Sequence, residues 1–380
     1  MSIKHIFKIG IRNQCSLRLL TPTANTVILA PTVIFREQTM TTHISTLGEL
    51  LTSAGTQWRV YDIGRRITKI DKKQFDQIEN TQVPYPYPLG GHALMAIQFW
   101  DNQATLDPYV WFLKFPLDEQ SKLNIASRDH FASMVIEALG TQLTGEAAQG
   151  KLDNNPYVYT PNANKLAAFN ALMKCELKRP ASKYYETVEQ YFTSHGQTDW
   201  QSLALQGLAD YALRLAHGQN QANLMALWST LPAQVQSPLA AMLEHVSIST
   251  ELTEFLQTQL NTQLTTDNLA GAINSFRAMS GSHGLGLIAQ SVDQLLASEQ
   301  NLEADILLTI AGRGWETLTD PDRLYTFMDK AAQNSQIEGL FESIFADLVA
   351  IPMLRPHVLG LLRAQNRSET LSRAIGRLFS

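Results

Sequence analysis

The chain has 380 residues, a formal net charge of −5 and two cysteines, Cys15 and Cys175. This length exceeds what one hydrophobic core usually serves, so the sequence predicts two domains. Hydrophobic residues make up 44% and charged residues 17% of the chain, which is typical of a folded protein and excludes a largely disordered one. Two cysteines cannot form a disulfide framework or a zinc site, and we therefore expect a reducing, cytoplasmic location.

Charge is distributed unevenly along the chain. Residues 1–39 contain five basic residues and one acidic residue, and neither a helical nor a strand period persists in them. A basic leader of this kind is either a targeting peptide or sequence translated upstream of a true start at Met40. Because a well-formed helix signal follows Met40 directly, we favour the second interpretation, with 1–39 disordered or outside the true protein. The remainder is acidic, which argues against nonspecific binding to nucleic acid.

Residues 40–145 predict a small α/β layer domain. Thr46 and Glu49 have the spacing of a capping box at the start of a helix. The two later predicted strands, at 94–100 and 109–115, are apolar on both faces, which predicts central strands that are covered on two sides. In chain order, the predicted elements are a helix from Thr46 to Gly55, a strand at 58–63, a helix capped by Asp71, strands at 94–100 and 109–115, and a helix at 128–139.

A weak repeat of apolar residues runs through the second half of the chain. Pairs of apolar residues four apart begin at positions 239, 269, 307, 340 and 371. Units of this length, each too small to bury its own apolar face, are typical of stacked helix pairs. The sequence therefore predicts an α+β fold, in which the α/β layer domain is followed by a linker with connecting helices at 146–199 and an all-α, HEAT-like helical-repeat domain at 200–380.

No pattern for catalysis or metal binding stands out. The histidines are scattered singly, with no HxH or HxxxH pair, and the sequence contains neither a GxSxG elbow nor a P-loop. The glycine-rich stretch at 281–286 lies between two predicted helices, whereas a dinucleotide-binding loop must follow a strand. We therefore predict no catalytic residue, no metal site and no cofactor.

The best candidate for a ligand site is the basic segment that follows the first predicted strand. Five cations fall within residues 65–73, at a strand end where backbone amides and arginine side chains can bind an anion. The alternative is a solvated basic loop that pairs with acidic residues. The candidates for anion binding are Arg65, Arg66, Lys69 and Lys114.

Two further sets of residues are candidates for an interaction surface. Alternating prolines and tyrosines at 84–88 impose an extended stretch, whose tyrosines either stack against a partner or pack against the sheet. The stretch 351–380 holds five arginines and one glutamate, which suits contacts to carboxylates or phosphates, or else forms the solvated face of a terminal repeat. The candidates are Tyr85, Tyr87, Arg363, Arg367, Arg373 and Arg377.

Several strings in the sequence resemble a bacterial protein family of unknown function. The resemblance covers about Met40 to Ser380 and implies that residues 1–39 lie outside the family. It implies a bacterial, cytoplasmic setting, and it brings no activity, cofactor or catalytic residue. The strings are TLGELLTSAG at 46–55, WRVYDIGRRITKI at 58–70, PYPYPL at 84–89, VWFLKFPLDEQ at 110–120, NNPYVYTP at 154–161, LQGLADYALRL at 205–215 and TIAGRGWETL at 309–318.

Stacked helices are usually binding surfaces and seldom active sites. We therefore expect a non-enzymatic scaffold or adaptor whose partner is another protein. The alternative is a binder of a small anionic molecule, or an enzyme, that uses the basic loop after the first strand. RNA binding through the two basic segments is a weaker alternative, and no apolar run reaches the roughly 18 residues of a membrane span.

Overall fold

The computed structural model describes residues 45–101, 108–143 and 155–379. The expectation for residues 1–39 therefore lies outside the described residues, as does most of the stretch 102–108, which connects the two later predicted strands. The chain divides into two compact units, of which the first contains the described residues up to Gly64 and from Thr68 to Thr160, and the second contains Arg65–Ile67 together with the residues from Pro161 onward. A small sheet followed by a mostly helical part confirms the predicted α+β class.

The first unit is built on a four-stranded antiparallel sheet with the order β2-β1-β3-β4. The sequence did not predict β2, because three residues are too few to show a period. The prediction that both later strands are central is wrong for β4, which ends the sheet order, although Lys114 of β4 donates its backbone N–H to the carbonyl of Tyr157. The elements described in this unit are α1 (Leu47–Ser53), β1 (Thr56–Asp62), β2 (Thr68–Ile70), α2 (Lys72–Glu79), β3 (His92–Asp101), β4 (Tyr109–Pro116) and α3 (Ile125–Leu143).

The core of this unit lies between one face of the sheet and the three helices. Alternate residues of each strand point to the same face, so β3 contributes every second side chain from Ala93 to Phe99. Aromatic rings fill the centre, where Trp111 and Phe115 of β4 both meet Phe131 of α3 edge-on. Burial of these apolar side chains is what holds the three helices on the sheet.

The start of α1 is fixed by two carboxylates. The predicted capping box is confirmed, because Thr46 and Glu49 bond reciprocally at the first turn. Glu79, at the end of α2, accepts hydrogen bonds from the backbone N–H groups of Leu47 at 2.7 Å and Gly48 at 3.0 Å. Burial raises the pKa of Glu79 to about 7, and the backbone donors only partly oppose this rise.

The Glu79 carboxyl should make stability depend on pH. Its pKa is 4.5 ordinarily and about 7 in the folded protein, so folding favours the protonated form, and this contribution is present at acidic pH and lost as pH rises through about 7. As pH rises from 5 to 8, the wild type should lose this contribution and Glu79→Gln should not. The free energy of unfolding of the variant minus that of the wild type should therefore increase over this range, by about 3 kcal/mol at most. Urea unfolding of both proteins across that range measures the difference in free energy of unfolding. Titration of the other groups is common to both proteins and cancels in this difference. A difference that does not change with pH would contradict the raised pKa.

The described part of the second unit is helical, and helices that are two apart in chain order pack against each other. Two series are present: α4, α6, α8, α10, α12 and α14 form the even series, and α5, α7, α9, α11, α13 and α15 form the odd series; within each, every helix packs against the next member. The last helix, α16, packs against α13. The helices described are α4 (Ala163–Glu176), α5 (Tyr185–Thr193), α6 (Leu205–Ala212), α7 (Asn220–Leu227), α8 (Ala233–Leu243), α9 (Thr250–Thr265), α10 (Leu269–Met279), α11 (Leu285–Ala297), α12 (Ala304–Arg313), α13 (Pro321–Gln333), α14 (Leu340–Ala350), α15 (Arg355–Leu361) and α16 (Glu369–Arg377).

Hydrogen bonds between residues about one helix pair apart join successive pairs. Gln300 donates to Asp267 at 2.7 Å, and their positions differ by 33. The bond from Gln336 to Glu303 at 2.7 Å also spans 33 positions. Polar contacts at equivalent places therefore add to apolar packing at two successive steps of the stack.

The predicted apolar repeat coincides with single helices of successive pairs. Its positions 239, 269, 307 and 340 fall in α8, α10, α12 and α14, all of which belong to the even series. The helices α4 and α5, expected as connecting elements, belong to the second unit. None of the helices that the structure describes combines the length and apolar character needed to cross a membrane.

Candidate functional site

The arginines of the predicted basic loop lie in the second unit, where each pairs with a carboxylate. Arg65 is 2% exposed, and its guanidinium lies 2.8 Å from Asp347 of α14. Arg66 lies 2.8 Å from Glu316, which belongs to the short 3₁₀ helix Trp315–Thr319. Both guanidinium groups are thus held by acidic residues about 250 or more positions away in sequence.

An aromatic platform and backbone groups complete this site. The Trp315 ring centroid is 5.8 Å from the Arg65 guanidinium carbon and 5.9 Å from that of Arg66, within the range of cation–π attraction. Arg66 donates to the carbonyl of Arg313 at 3.2 Å, and Lys165 of α4 donates to the carbonyl of Arg65 at 3.4 Å. We call the set Lys165, Arg313, Trp315, Glu316 and Asp347 the arginine-binding site.

Beside this site, one buried carboxylate connects three helices of the even series. Glu244 directly follows α8, and its Oε2 accepts from Arg277 of α10 at 3.0 Å and from Arg313 of α12 at 2.6 Å. Burial alone would raise the pKa of Glu244, but Arg313 and Arg277 overcome that effect and hold it below its ordinary value. Glu244 is therefore ionised at neutral pH, and its single negative charge is shared by two arginines.

The neighbouring histidine contributes no charge at neutral pH. His245 is buried, and burial lowers its pKa to about 3 despite the attraction of the adjacent Glu244 carboxylate. Lys165, Arg313 and Arg66 lower the pKa further, because each repels a protonated ring. A general base works best with a pKa near the working pH, and burial moves the pKa of His245 away from that range.

The two remaining candidates for anion binding lie in the first unit. Lys69 of β2 and Lys114 of β4 are both exposed there. The four predicted residues are therefore divided between the two units, and within the second unit Arg65 and Arg66 contact carboxylates. This arrangement fits the alternative in which the basic loop pairs with acidic residues, and anion binding stays a prediction.

Of the two tyrosines, Tyr85 is fully buried and Tyr87 is partly exposed. The Tyr85 hydroxyl donates to Asp62 Oδ1 at 2.7 Å and also lies 3.2 Å from the carbonyl oxygen of Leu94. Burial and the Asp62 carboxylate both raise the pKa of Tyr85 well above its ordinary value. Tyr87 packs against the core, so the packing alternative describes the positions of both rings.

The C-terminal arginines occupy different environments. Arg367 donates to the carbonyl of Leu362 at 2.6 Å and thereby binds the end of α15. Arg377 of α16 pairs with Glu342 of α14 at 2.9 Å, although both side chains remain partly exposed. Arg363 and Arg373 are exposed, and Arg373 faces Glu369 at 3.8 Å.

A cavity of about 570 Å³ lies beside Arg377. Its walls come from the end of α13, the loop at 334–339, the first turn of α14 and Arg377 of α16. Ala331, Leu340 and Phe341 supply apolar surface, whereas the loop and Glu342 supply polar groups. A cavity of this size falls within the range of small-ligand sites, which is about 300–1,000 Å³.

The sequence did not indicate the acidic half of the arginine-binding site. Glu316 and Asp347 carry no motif, and only the folded chain brings them to Arg65 and Arg66. Arg313, Trp315 and Glu316 do lie within the string TIAGRGWETL at 309–318, which contributed to the family resemblance. That string was the signal in the sequence that could have pointed to Glu316.

Comparison with known proteins identifies the family. A family model described as "Protein of unknown function (DUF3549)" matches residues 42–379. The chain belongs to this family. The match confirms the resemblance over about residues 40–380. No curated protein matches the DUF3549 chain, and no solved structure does.

Proposed function

We propose that this protein is a non-enzymatic, helical-repeat scaffold of the α-solenoid type that binds another protein. The observation that supports it most is the arginine-binding site, where the helices of the second unit hold a segment of the same unit that is remote in sequence, Arg65–Ile67. The contacts come from α4, from the end of α12 with the following 3₁₀ helix, and from α14. Stacked helix pairs bind polypeptide in this way, by presenting side chains from several repeats along one surface.

The chemistry of the site suits a polypeptide. A tryptophan ring, two carboxylates and a backbone carbonyl meet two adjacent arginines, and each guanidinium has a charged and an aromatic contact. Arginine and tryptophan dominate the energetics of many protein interfaces. The two helix series, tied by equivalent polar bonds, would give such contacts a rigid support.

The alternative of a small anionic ligand receives less support from the same residues. An anion that bound Arg65 and Arg66 would have to displace Asp347 and Glu316, and it would have to reach Arg65, which is 2% exposed. RNA binding meets a similar obstacle, because Arg367 and Arg377 already bind the protein's own carbonyl and carboxylate groups. A cytoplasmic location, which the two cysteines suggested, belongs to this proposal.

Affinity purification of the tagged full chain, expressed at its native level, tests the proposal. We expect one protein to be enriched with the wild type, and to be lost at least about fivefold from the double variant Glu316→Gln/Asp347→Asn. That variant removes the carboxylates that hold Arg65 and Arg66, so it loosens this segment on the helices and, with it, the surface offered to the partner, while side-chain size changes little. Asp293→Asn is the matched control, because it removes an exposed carboxylate that pairs with Arg323, and it should retain the partner.

Quantitative mass spectrometry of the three purifications gives the result. If no protein is enriched with the wild type above an untagged control, the scaffold proposal fails. If a small anion is found with the wild type instead, the ligand alternative takes its place.

A further inference from the structure

The end of the second unit exposes large apolar side chains beside the cavity. Phe379, just after α16, is 74% exposed, and Ile337, in the loop that lines the cavity, is 44% exposed. Single exposed apolar residues are ordinary, but apolar groups clustered around a cavity are typical of interaction sites. This end of the unit therefore has the features of a binding surface.

Phe379 is close to the cavity along the chain. Arg377 lines the cavity and lies two residues before Phe379. An exposed aromatic residue thus follows, two positions along the chain, a residue that lines a cavity of about 570 Å³, which is large enough for a benzyl group. In a dimer with two-fold symmetry, the same patch of each copy forms the interface. A patch that carries both a projecting side chain and a cavity can therefore fit a second copy of itself, with each projection in the other copy's cavity.

The charges around these two features are also complementary. Glu338 and Glu342 lie at the cavity, whereas Arg373 and Arg377 lie on the last helix before Phe379. Glu342 already pairs with Arg377 at 2.9 Å within one copy, so the complementary charges between two copies are those of Glu338 and Arg373. Opposite charges of this kind favour encounter and fix the register of an interface.

We propose that two copies of this chain associate through this end, each inserting Phe379 into the cavity of the other. Ile337 and Phe341 contact the inserted ring, and Arg373 of each copy approaches Glu338 of its partner. The buried surface is small, so the dimer is weak and forms at micromolar concentrations. This self-association is independent of the proposed binding of another protein.

Sedimentation equilibrium of the purified full chain tests the proposal through two complementary variants. Phe379→Ser removes the projection and leaves the cavity intact. Ala332→Phe fills the cavity, which Ala332 lines, and leaves the projection intact. Each variant alone should raise the dimer dissociation constant about tenfold or more, because each removes the burial of two phenylalanine rings per dimer.

Mixing the two variants gives the decisive result. A mixture retains one intact contact, from Phe379 of the Ala332→Phe chain into the open cavity of the Phe379→Ser chain, so mixed dimers should exceed the dimers of either variant alone. Leu359→Ser is the control, since it removes an apolar side chain that is 42% exposed on α15, and it should leave the wild-type constant unchanged. Should Ala332→Phe fail to fold, as judged by circular dichroism, Ile337→Asp replaces it at the exposed rim.

Three results would overturn the proposal. One is a wild-type chain that stays monomeric up to a concentration of about 100 μM. Another is a dimer that neither Phe379→Ser nor the cavity variant weakens. The third is a mixture of the two variants that forms no more dimer than the variants do separately.

Discussion

The substitution Ile344→Asp is expected to unfold the C-terminal helices of the second unit. Ile344 is 2% exposed in the middle of α14, which packs against α12, α13 and α15. A carboxylate at this position would be buried without a partner, at a cost of about 4 kcal/mol or more. Because contacts in stacked helices are mostly between neighbours, the loss should spread from α14 to the helices around it.

Hydrogen exchange measured by mass spectrometry locates this loss. We expect peptides from α12 to α16 to lose protection, and peptides from β1, β3 and β4 to keep it. The matched control is Ser343→Asp, which places the same charge on the exposed side of the same helix and should change protection little. Loss of protection at the same rate in both units would show that the chain unfolds as one cooperative whole.

Replacing Glu244 with Gln should cost the second unit about 3 kcal/mol. The neutral side chain keeps the shape of Glu244 but removes the charge that Arg277 and Arg313 share. Removing one partner of a buried ion pair is strongly destabilising, because the remaining charge stays in a poorly solvated place. Three helices of the even series meet at this carboxylate, so the effect should exceed that of an ordinary surface pair.

Asp293→Asn provides the comparison for Glu244→Gln. Asp293 is 52% exposed and pairs with Arg323 at 2.7 Å, and an exposed pair contributes about 0–1 kcal/mol. Urea unfolding at pH 7, followed by circular dichroism of the helical signal, measures both variants. Equal midpoints for the two would show that the Glu244 pairing adds no more than a surface ion pair.

Local features of the fold were predictable from the sequence, because their causes are local. Thr46 and Glu49 fixed the start of α1, and Asp71 caps α2 through the backbone N–H of Gln74. The apolar residues of the second half repeat at helical spacing; four of the five predicted positions fall in the even series, and the fifth, 371, falls in α16. Each of these features depends on residues within a few positions of one another.

The arginine-binding site was not predictable in the same way. The sequence showed that Arg65 and Arg66 follow a strand, and it left open whether they bind an anion or an acidic residue. The answer depends on Asp347 and Glu316, which approach only through the tertiary fold, across separations of 282 and 250 positions. A single sequence shows charge and local period, and it does not show which distant carboxylate will meet which arginine.

The most direct test of the scaffold proposal is native mass spectrometry of the tagged chain, purified at its native level. The proposal predicts a species heavier than the 42.4 kDa chain by the mass of a second, different polypeptide, which dissociates into two intact chains on activation. A chain found alone or only as copies of itself, or one that carries an adduct the size of a small anion, would contradict it.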